Sequence, residues 1–328
     1  GQDGKAVGIV YLASPLPLTG LPANILAQFG GALFIAFLLA NAAGALIARR
    51  IARPIEIVAG AARAVAEGDL NKQVPVNTEV SELNNLGQAF NAMISNLRQS
   101  DKAKNTFIAD VAHELRTPLT VIKGTIETLE DGALDDLDGR GALLTSMQSE
   151  TERLVRLVND LLVLTRADAG TLKLNIKALD LGILAQARCN HFSILTQSRR
   201  IKLEVTGVGQ EKIIGLGDAD RIAQVFDNLL DNAIRYSPDN STITIDLSMN
   251  EDEVRCSIID SGPGIPEKHL PFIFERFYRV EGSRDRQTGG AGLGLAIVQA
   301  LLLAQEGRIS VDSKEGKGST FTFWLPRG

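Results

Sequence analysis

Three hydrophobic rhythms divide the chain. From Ile25 to Ala48 no charged side chain interrupts ILAQFGGALFIAFLLANAAGALIA, and about 20 consecutive apolar residues in a helix suffice to cross a bilayer core. From there to about residue 169 the apolar positions recur at helical spacing. Ile51, Ile55, Val58, Ala62 and Val65 form one seam, and Leu83, Leu86, Phe90, Met93 and Leu97 form another after the extended stretch EGDLNKQVPVNTE. Short helices with such narrow stripes bury them only against each other or against a second chain. A third helix is expected from about Asp101 to Glu130, with Ile108, Val111, Leu115, Pro118, Ile122, Ile126 and Leu129 near one seam. The run DGALDDLDGRG breaks it. A fourth helix then runs from about Ala142 to Ala167 through Met147, Leu154, Val158, Leu161 and Leu164, which makes a hairpin fit to be half of a four-helix bundle. Beyond Gly170 the period falls to two. LKLNIK, IKLEV, TITIDLS, VRCSIID, RISVDS and STFTFWL read as strands with amphipathic helices between them, an α+β domain.

Charge orients the apolar span. Arg49, Arg50, Arg53 and Arg63 follow it and only Lys5 precedes it, which places everything after Arg49 in the cytoplasm and residues 1–24 outside. A signal peptide has its cations in front and a shorter apolar run. A buried core helix is the alternative. In the outer segment VGIVYLASPL reads as a strand, too short to fold alone, so any sensing domain is expected upstream of Gly1.

The 328 residues suit two or three domains rather than one. A net charge of −5 disfavours a nucleic-acid-binding surface, so no nucleic-acid partner is expected. Cys189 and Cys256 are too few for a disulfide framework and read as small core side chains. Three histidines leave little for structural zinc.

His113 lies in FIADVAHELRTPLT, on the third helix but off its apolar seam. Glu114 is adjacent, Thr117 is one turn on, and Pro118 removes the amide that would bond the Glu114 carbonyl and should kink the helix. A zinc-protease H-E-x-x-H fails because position 117 is Thr. A neutral imidazole is nonetheless a competent nucleophile, and a neighbouring carboxylate can fix its tautomer.

Four motifs follow in the last domain. In DNLLDNAIRYS, Asn228 and Asn232 lie four apart on one helix face, where two amide oxygens can meet a Mg²⁺ ion, and Arg235 and Tyr236 offer a cation and a ring. Asp260-Ser-Gly-Pro-Gly264 ends a strand; the aspartate can accept from an exocyclic amine, and Gly262 and Gly264 let a ring approach the backbone. FIFERFYRV carries Arg276 and Arg279 within an aromatic cluster. Gly289-Gly-Ala-Gly-Leu-Gly294 opens a helix, a source of free amides for an anion. The Rossmann pattern fails here, and neither a Walker loop nor an H-R-D signature occurs.

Taken together these segments resemble a known family. Pro54 and EVSELNNLGQAFNAM resemble a HAMP signalling module, with Ser81 where that family usually has Gly. HELRTPL resembles the H-box of sensor histidine kinases, and the four later motifs resemble, in order and spacing, the N, G1, F and G2 boxes of the GHKL (Bergerat) ATP-binding fold. The resemblance implies a multidomain chain: a remnant of an external region (1–24), a transmembrane helix (25–48), a HAMP coiled coil (49–101), a dimerisation and phosphotransfer hairpin (102–169) and an α+β ATP-binding sandwich (170–328). It implies ATP and Mg²⁺ as cofactors, with His113 autophosphorylated, Glu114 orienting it or acting as general base, and Thr117 used in dephosphorylation. Asn228 and Asn232 would face the metal, Asp260 would read adenine, and Arg235, Tyr236 and Arg279 would flank the nucleotide. Gly262, Gly264, Gly290, Gly292 and Gly294 would shape the pocket and its lid. The implied partners are a second copy of the chain, a response-regulator receiver domain and membrane lipid. Phosphorylation within one chain or across the dimer would depend on the hairpin loop near Asp131 to Gly141. A GHKL ATPase performing conformational work and a scaffold with dominant phosphatase output are the competing readings. One departure stands out: Ala304-Gln305-Glu306-Gly307 occupies a place where the family often has His-Gly-Gly, which puts the turn geometry there in question.

Overall fold

The computed structural model describes residues 23–76, 80–133, 136–207, 212–280 and 291–328. The strand expected in VGIVYLASPL falls outside them. The chain divides into two compact units, residues 1–105 and 106–328.

In the first unit, α1 (Ala23–Ile47) carries the uncharged span. Leu33 and Phe29 are 71% and 66% exposed and their neighbours are similar, so among the described residues no core covers α1. It passes through a π-helical turn, Ala48–Ala52, into α2 (Arg53–Ala66). Pro54 explains the wide turn. A proline ring collides with the carbonyl four residues back and donates no hydrogen bond. The Arg53 amide reaches five residues back, to the Ala48 carbonyl, which opens the helix locally. After the extended connector, α3 (Ser81–Thr128) begins. The two expected seams close only in part: Phe90 is buried with Ala61, Val74 and Ile94, and Val58 and Val65 pack against them, whereas Ile51, Ile55, Ala62, Leu86, Met93 and Leu97 stay exposed. Two side chains of α3 fix the connector: Arg98 Nε donates to the Leu70 carbonyl, and Asn91 engages Val74. The Val74 amide donates to Asn91 Oδ1 at 2.9 Å, while Asn91 Nδ2 donates to the Val74 carbonyl at 2.8 Å.

Helix α3 does not restart at Asp101. It continues from Ser81 to Thr128, because RQSDKAKN between the two expected helices contains neither Gly nor Pro. Pro118 lies buried inside this continuous helix. The hairpin turns through a π-helical stretch, Leu129–Ala133, where Gly132 has φ of 113°. The returning α4 (Leu137–Asp168) begins earlier than the sequence suggests.

The second unit continues into a mixed sheet. Strands β2 (Lys202–Thr206), β4 (Thr242–Met249), β5 (Glu253–Asp260), β6 (Arg308–Ser313) and β7 (Ser319–Pro326) lie in the order β2-β4-β5-β7-β6, with β2 and β4 parallel and the remaining pairs antiparallel. Alternate residues point inward: Ile243, Ile245 and Leu247, then Val254, Cys256 and Ile258, then Phe321, Phe323 and Leu325. They share a core with α5 (Leu181–Arg199), α6 (Ala219–Tyr236) and α7 (Gly294–Leu303). Phe226 meets Phe323 edge-on at 5.5 Å. Cys189 and Cys256 are free and buried in this core, as their numbers suggested. Asp180 and Asp218 cap α5 and α6 by accepting from amides of the first turn.

Two expectations are corrected here. LKLNIK is not a strand up to Ile176; only Lys177 enters β1 (Lys177–Asp180), which pairs with β3 (Ile214–Gly217) in a separate two-stranded sheet. The Asn175 amide is bound by the Asp218 carboxylate at 2.8 Å, not by a neighbouring strand. Leu164, assigned to the bundle seam, is 1% exposed in the core of the α/β part, together with Leu157. One side of α4 therefore serves that domain, while Val155 and Val158 remain 55% and 45% exposed.

The turn at Ala304-Gln305-Glu306-Gly307 closes without a glycine pair. Glu306 adopts a left-handed φ of 59°, and the Gly307 amide donates to the Leu302 carbonyl at 2.8 Å, a Schellman closure. Gln305 is buried, accepting from the Asp218 amide at 2.6 Å and donating to the Leu301 carbonyl at 2.8 Å.

Candidate active site

A cavity of about 970 Å³ opens between α4, α6, the end of β5 and the start of α7. Of the residues singled out in the sequence, Asn228, Asn232, Arg235, Tyr236, Asp260, Gly264, Arg279, Gly292 and Gly294 line it, and so does Glu114. Gly290 lies outside the described residues, as does most of the expected lid (281–290).

Helix α6 presents the asparagines. Its buried face is Ile222, Val225, Phe226, Leu229, Leu230, Ala233 and Ile234, so the residues between them turn toward the cavity. Asn228 Nδ2 donates to the Gln224 carbonyl at 2.8 Å, which leaves Oδ1 as the outward, acceptor end of the amide. Gly294 is shaped by that oxygen, since a Cβ there would come within 2.9 Å of it. Arg235 is held by Asp231 at 2.8 Å, one turn back.

Asp260 is 8% exposed at the end of β5. Its Oδ1 accepts from the Gly262 amide at 2.8 Å and the Ser319 amide at 3.3 Å. Burial pushes its carboxyl above the ordinary value, and those two amides oppose the shift. Gly262 itself does not line the cavity; a Cβ there would press on Asp260 Oδ1 at 2.8 Å. Gly264, with φ of 71°, brings its α-carbon so near the Lys314 carbonyl that a Cβ would sit 2.1 Å away. Gly292, with φ of 73°, faces Phe277, itself left-handed with φ of 60°, and the Phe277 amide donates to the Gly292 carbonyl at 2.9 Å. Residues with other side chains would not let these backbones meet.

The histidine stands apart from the cavity. His113 is 76% exposed on α3, with Nδ1 3.8 Å from Glu114 Oε1, and it does not line the cavity. Thr117 also lies outside it; its hydroxyl donates to the His113 carbonyl at 3.4 Å, beside the amide that Pro118 lacks.

Several lining residues escaped sequence reasoning. Glu150, Arg153 and Asp160 come from α4 and His191 from α5. Burial raises the Asp160 carboxyl to about 6, opposed by the nearby Arg156 cation. A signal was present: Asp160 is three residues after Leu157 and four before Leu164, a charge on a buried helix face. Arg276 was noted only within its aromatic cluster. It binds both oxygens of Asp168 at 2.6 Å and lies 5.2 Å above the Phe107 ring, so it ties the sheet domain to both arms of the hairpin.

Three family models match the chain. Residues 46–99 match the HAMP domain, residues 103–170 the His Kinase A (phospho-acceptor) domain, and residues 217–328 the Histidine kinase-, DNA gyrase B-, and HSP90-like ATPase family. The signal transduction histidine-protein kinase BaeS of Escherichia coli (strain K12) is 36% identical over 292 residues, 89% of this chain and 61% of that protein. The histidine kinase AdeS of Acinetobacter baumannii superposes with a TM-score of 0.54 at 28% identity, covering 66% of this chain and 98% of that one. A histidine kinase ThkA in complex with response regulator protein TrrA gives 0.54 at 25% identity, covering 70% of this chain and 64% of that one. A phospho-acceptor hairpin joined to an ATPase-type domain is thus the class to which fold and cavity conform. The chain carries a HAMP, a phospho-acceptor and an ATPase-type domain, and the relatives it matches are histidine kinases. It spans 61% and 38% of the length of the first two curated relatives it matches.

Proposed function

We propose that the chain is an ATP-dependent protein-histidine kinase that phosphorylates His113 and passes the phosphoryl group to an aspartate of a response-regulator receiver domain. The observation that carries this reading is the cavity, which unites Asn228, Asn232 and Asp260 with Glu114, the residue beside His113. Asp260 would accept from the adenine amine, and Arg235, Tyr236 and Arg279 would flank the nucleotide. The glycines at 262, 264, 290, 292 and 294 would let base and phosphates approach the backbone. The donor set fits Mg²⁺: the Asn228 amide is oriented oxygen-outward, and Asn232 lines the same cavity one turn on. Those two oxygens would hold the ion, which would neutralise phosphate charge.

Glu114 beside Nδ1 favours the tautomer that keeps a proton there and leaves the Nε2 lone pair free. Nε2 attacks the γ-phosphorus, the bond from phosphorus to the bridging oxygen breaks, and ADP departs with that electron pair. The Nδ1 proton can then pass to Glu114. Because His113 is exposed outside the cavity, transfer requires the ATP-binding domain to shift along the hairpin or the histidine of a second chain to be presented. In the reverse branch Thr117 would assist removal of the phosphoryl group from the regulator.

The exposed seams on α3 and α4 support a homodimer built from the hairpin. Helix α1 would anchor the chain in membrane lipid, with the arginines after Ala48 keeping the hairpin and ATP-binding domain in the cytoplasm. The division into 1–24, 25–48, 49–101, 102–169 and 170–328 is part of the same reading.

The test incubates the full chain in detergent micelles with γ-labelled ATP and Mg²⁺. Acid-labile, alkali-stable label that disappears in His113→Gln is expected. Asn232→Asp should abolish labelling without unfolding the chain. ATP turnover without protein-bound label, or label that survives the His113 substitution, would sink the proposal.

A further inference from the structure

Glu114 does not stand alone beside the histidine. Across the hairpin, Arg153 of α4 places Nη2 3.7 Å from Glu114 Oε2, while its Nη1 lies 3.7 Å from Glu150 Oε2. All three side chains line the cavity and are about a quarter exposed, at 26%, 28% and 23% for Glu114, Arg153 and Glu150. The Glu150 oxygen is buried without a hydrogen-bond partner, so the guanidinium is the charge that compensates it. The two oxygens of Glu114 are therefore divided: Oε2 faces Arg153, and Oε1 faces His113 Nδ1 at 3.8 Å. The four groups form a line from α4 to α3, Glu150, Arg153, Glu114, His113.

A glutamate side chain has three rotatable bonds, and on an exposed helix surface it samples many rotamers. A guanidinium is planar, permanently charged and able to engage two carboxylates at once. It can thus confine one carboxylate without being consumed by it, while a second carboxylate, one of whose oxygens is buried, confines the guanidinium.

We propose that Arg153 is a positioning residue for His113. Braced by Glu150, it holds Glu114 in the rotamer that keeps Oε1 at Nδ1, and so keeps the Nε2 lone pair available. The proposal rests on the kinase reading above and adds the residues that set the orientation of its base. In the phosphoryl-transfer step Arg153 gives up no proton and forms no bond. Nε2 gains the phosphorus, the bridging oxygen leaves with its electrons, and the Nδ1 proton goes to the carboxylate that Arg153 holds.

The experiment measures initial rates of histidine labelling by the full chain in micelles over a range of ATP concentrations. Arg153→Met should lower the maximal rate on the order of 10- to 100-fold, the scale of a catalytic group displaced by about 1 Å, with the half-saturating ATP concentration unchanged. Arg153→Lys should recover part of the rate. In a Glu114→Gln background the further change to Met should add nothing, because the residue through which Arg153 acts is then no longer a base. Thermal unfolding of Arg153→Met separates a misfolded variant from a mispositioned one; if it melts early, Glu150→Gln supplies the test, with the same expected loss at unchanged half-saturation. A rise in half-saturating ATP with the maximal rate intact would assign Arg153 to nucleotide binding and overturn the proposal. So would an equal loss in the Glu114→Gln background. Absence of label in the unsubstituted chain would instead be a failure of the kinase reading itself.

Discussion

The two halves of the molecule treat their apolar residues in opposite ways. In the α/β part they close on themselves: Phe226, Leu229, Leu230, Ile243, Ile245, Ile297, Leu301 and Phe323 are each fully buried. In the helical part whole stripes stay outside, among them Leu86, Met93 and Leu97, then Ile108, Leu119 and Ile126, then Leu144, Val155 and Val158. Sequence hydrophobicity does not distinguish the two; spacing does. A period of two interleaved with helices encloses a core within one chain, whereas a narrow 3.5-residue stripe awaits another helix. The α/β part closes on a core of its own, whereas the helical part leaves its stripes exposed, as a surface that another helix could cover.

The largest effect should come from breaking this contrast at its extremes. Phe226→Ala removes a fully buried ring that packs edge-on against Phe323 and is expected to cost about 3–5 kcal/mol. Leu97→Ala removes a side chain that is 45% exposed and should cost less than about 0.5 kcal/mol in intrachain stability. Its effect should fall on self-association. Denaturant unfolding of the full chain in micelles, paired with sedimentation at several protein concentrations, reads both quantities. Equal unfolding losses for the two variants, or an unchanged association constant for Leu97→Ala, would erase the distinction.

Legibility followed the same divide. The apolar span, the two HAMP-like seams, most strands and the four nucleotide motifs are local patterns, and local patterns survive in a sequence. What escaped depends on distant partners. β3, Ile-Gly-Leu-Gly, is too short and glycine-rich to show a period, and it exists because β1 and the core receive it. The continuity of α3 was hidden by a change of seam rather than by a breaker. Leu157 and Leu164 carry the right spacing for a bundle, yet they pack into the ATP-binding domain, because a helix has two sides and the spacing names neither partner. In the cavity the asparagines and glycines were visible as motifs. Arg153 and Glu150 were not, since each is an ordinary charged residue on a helix until α3 brings Glu114 beside them, whereas Asp160 was signalled only by its place between Leu157 and Leu164.

Asp160 sharpens the comparison by placing an ionisable group at the junction of the two behaviours. Its carboxyl is raised from 3.8 to about 6 chiefly by burial, so the folded state favours the protonated form more than the unfolded chain does. Below pH 4 both states are protonated and the group has no net effect. As pH rises from about 4 to about 6 the unfolded chain ionises first and stability falls, and above 6 the loss is complete. Asp160→Asn should remove that slope and raise the melting temperature more at pH 8 than at pH 5. A wild-type stability that is flat or rising from pH 4 to 6, with no change on substitution, would show that α4 leaves this residue in water.

The smallest effect lies at the turn that ends α7. Glu306 occupies the left-handed position that ends α7, with φ of 59°. Such a conformation costs a residue with a Cβ about 1–2 kcal/mol, and glycine avoids it. Glycine also gains more freedom in the unfolded chain, which offsets about 0.5–1 kcal/mol. Glu306→Gly is therefore expected to stabilise by about 0.5–1 kcal/mol. The neighbouring Gly307 does not have this latitude: a Cβ there would come within 2.6 Å of the Trp324 carbonyl. Gly307→Ala should accordingly destabilise. A turn that depended on a glycine pair would have been lost with Gln305 and Glu306 in place. Here the Gly307–Leu302 hydrogen bond and the buried Gln305 bridge to Asp218 hold it, at the expense of one strained backbone. If Glu306→Gly lowers the melting temperature, its side chain makes a contact that outweighs the strain, and the turn is sustained by Glu306 rather than in spite of it.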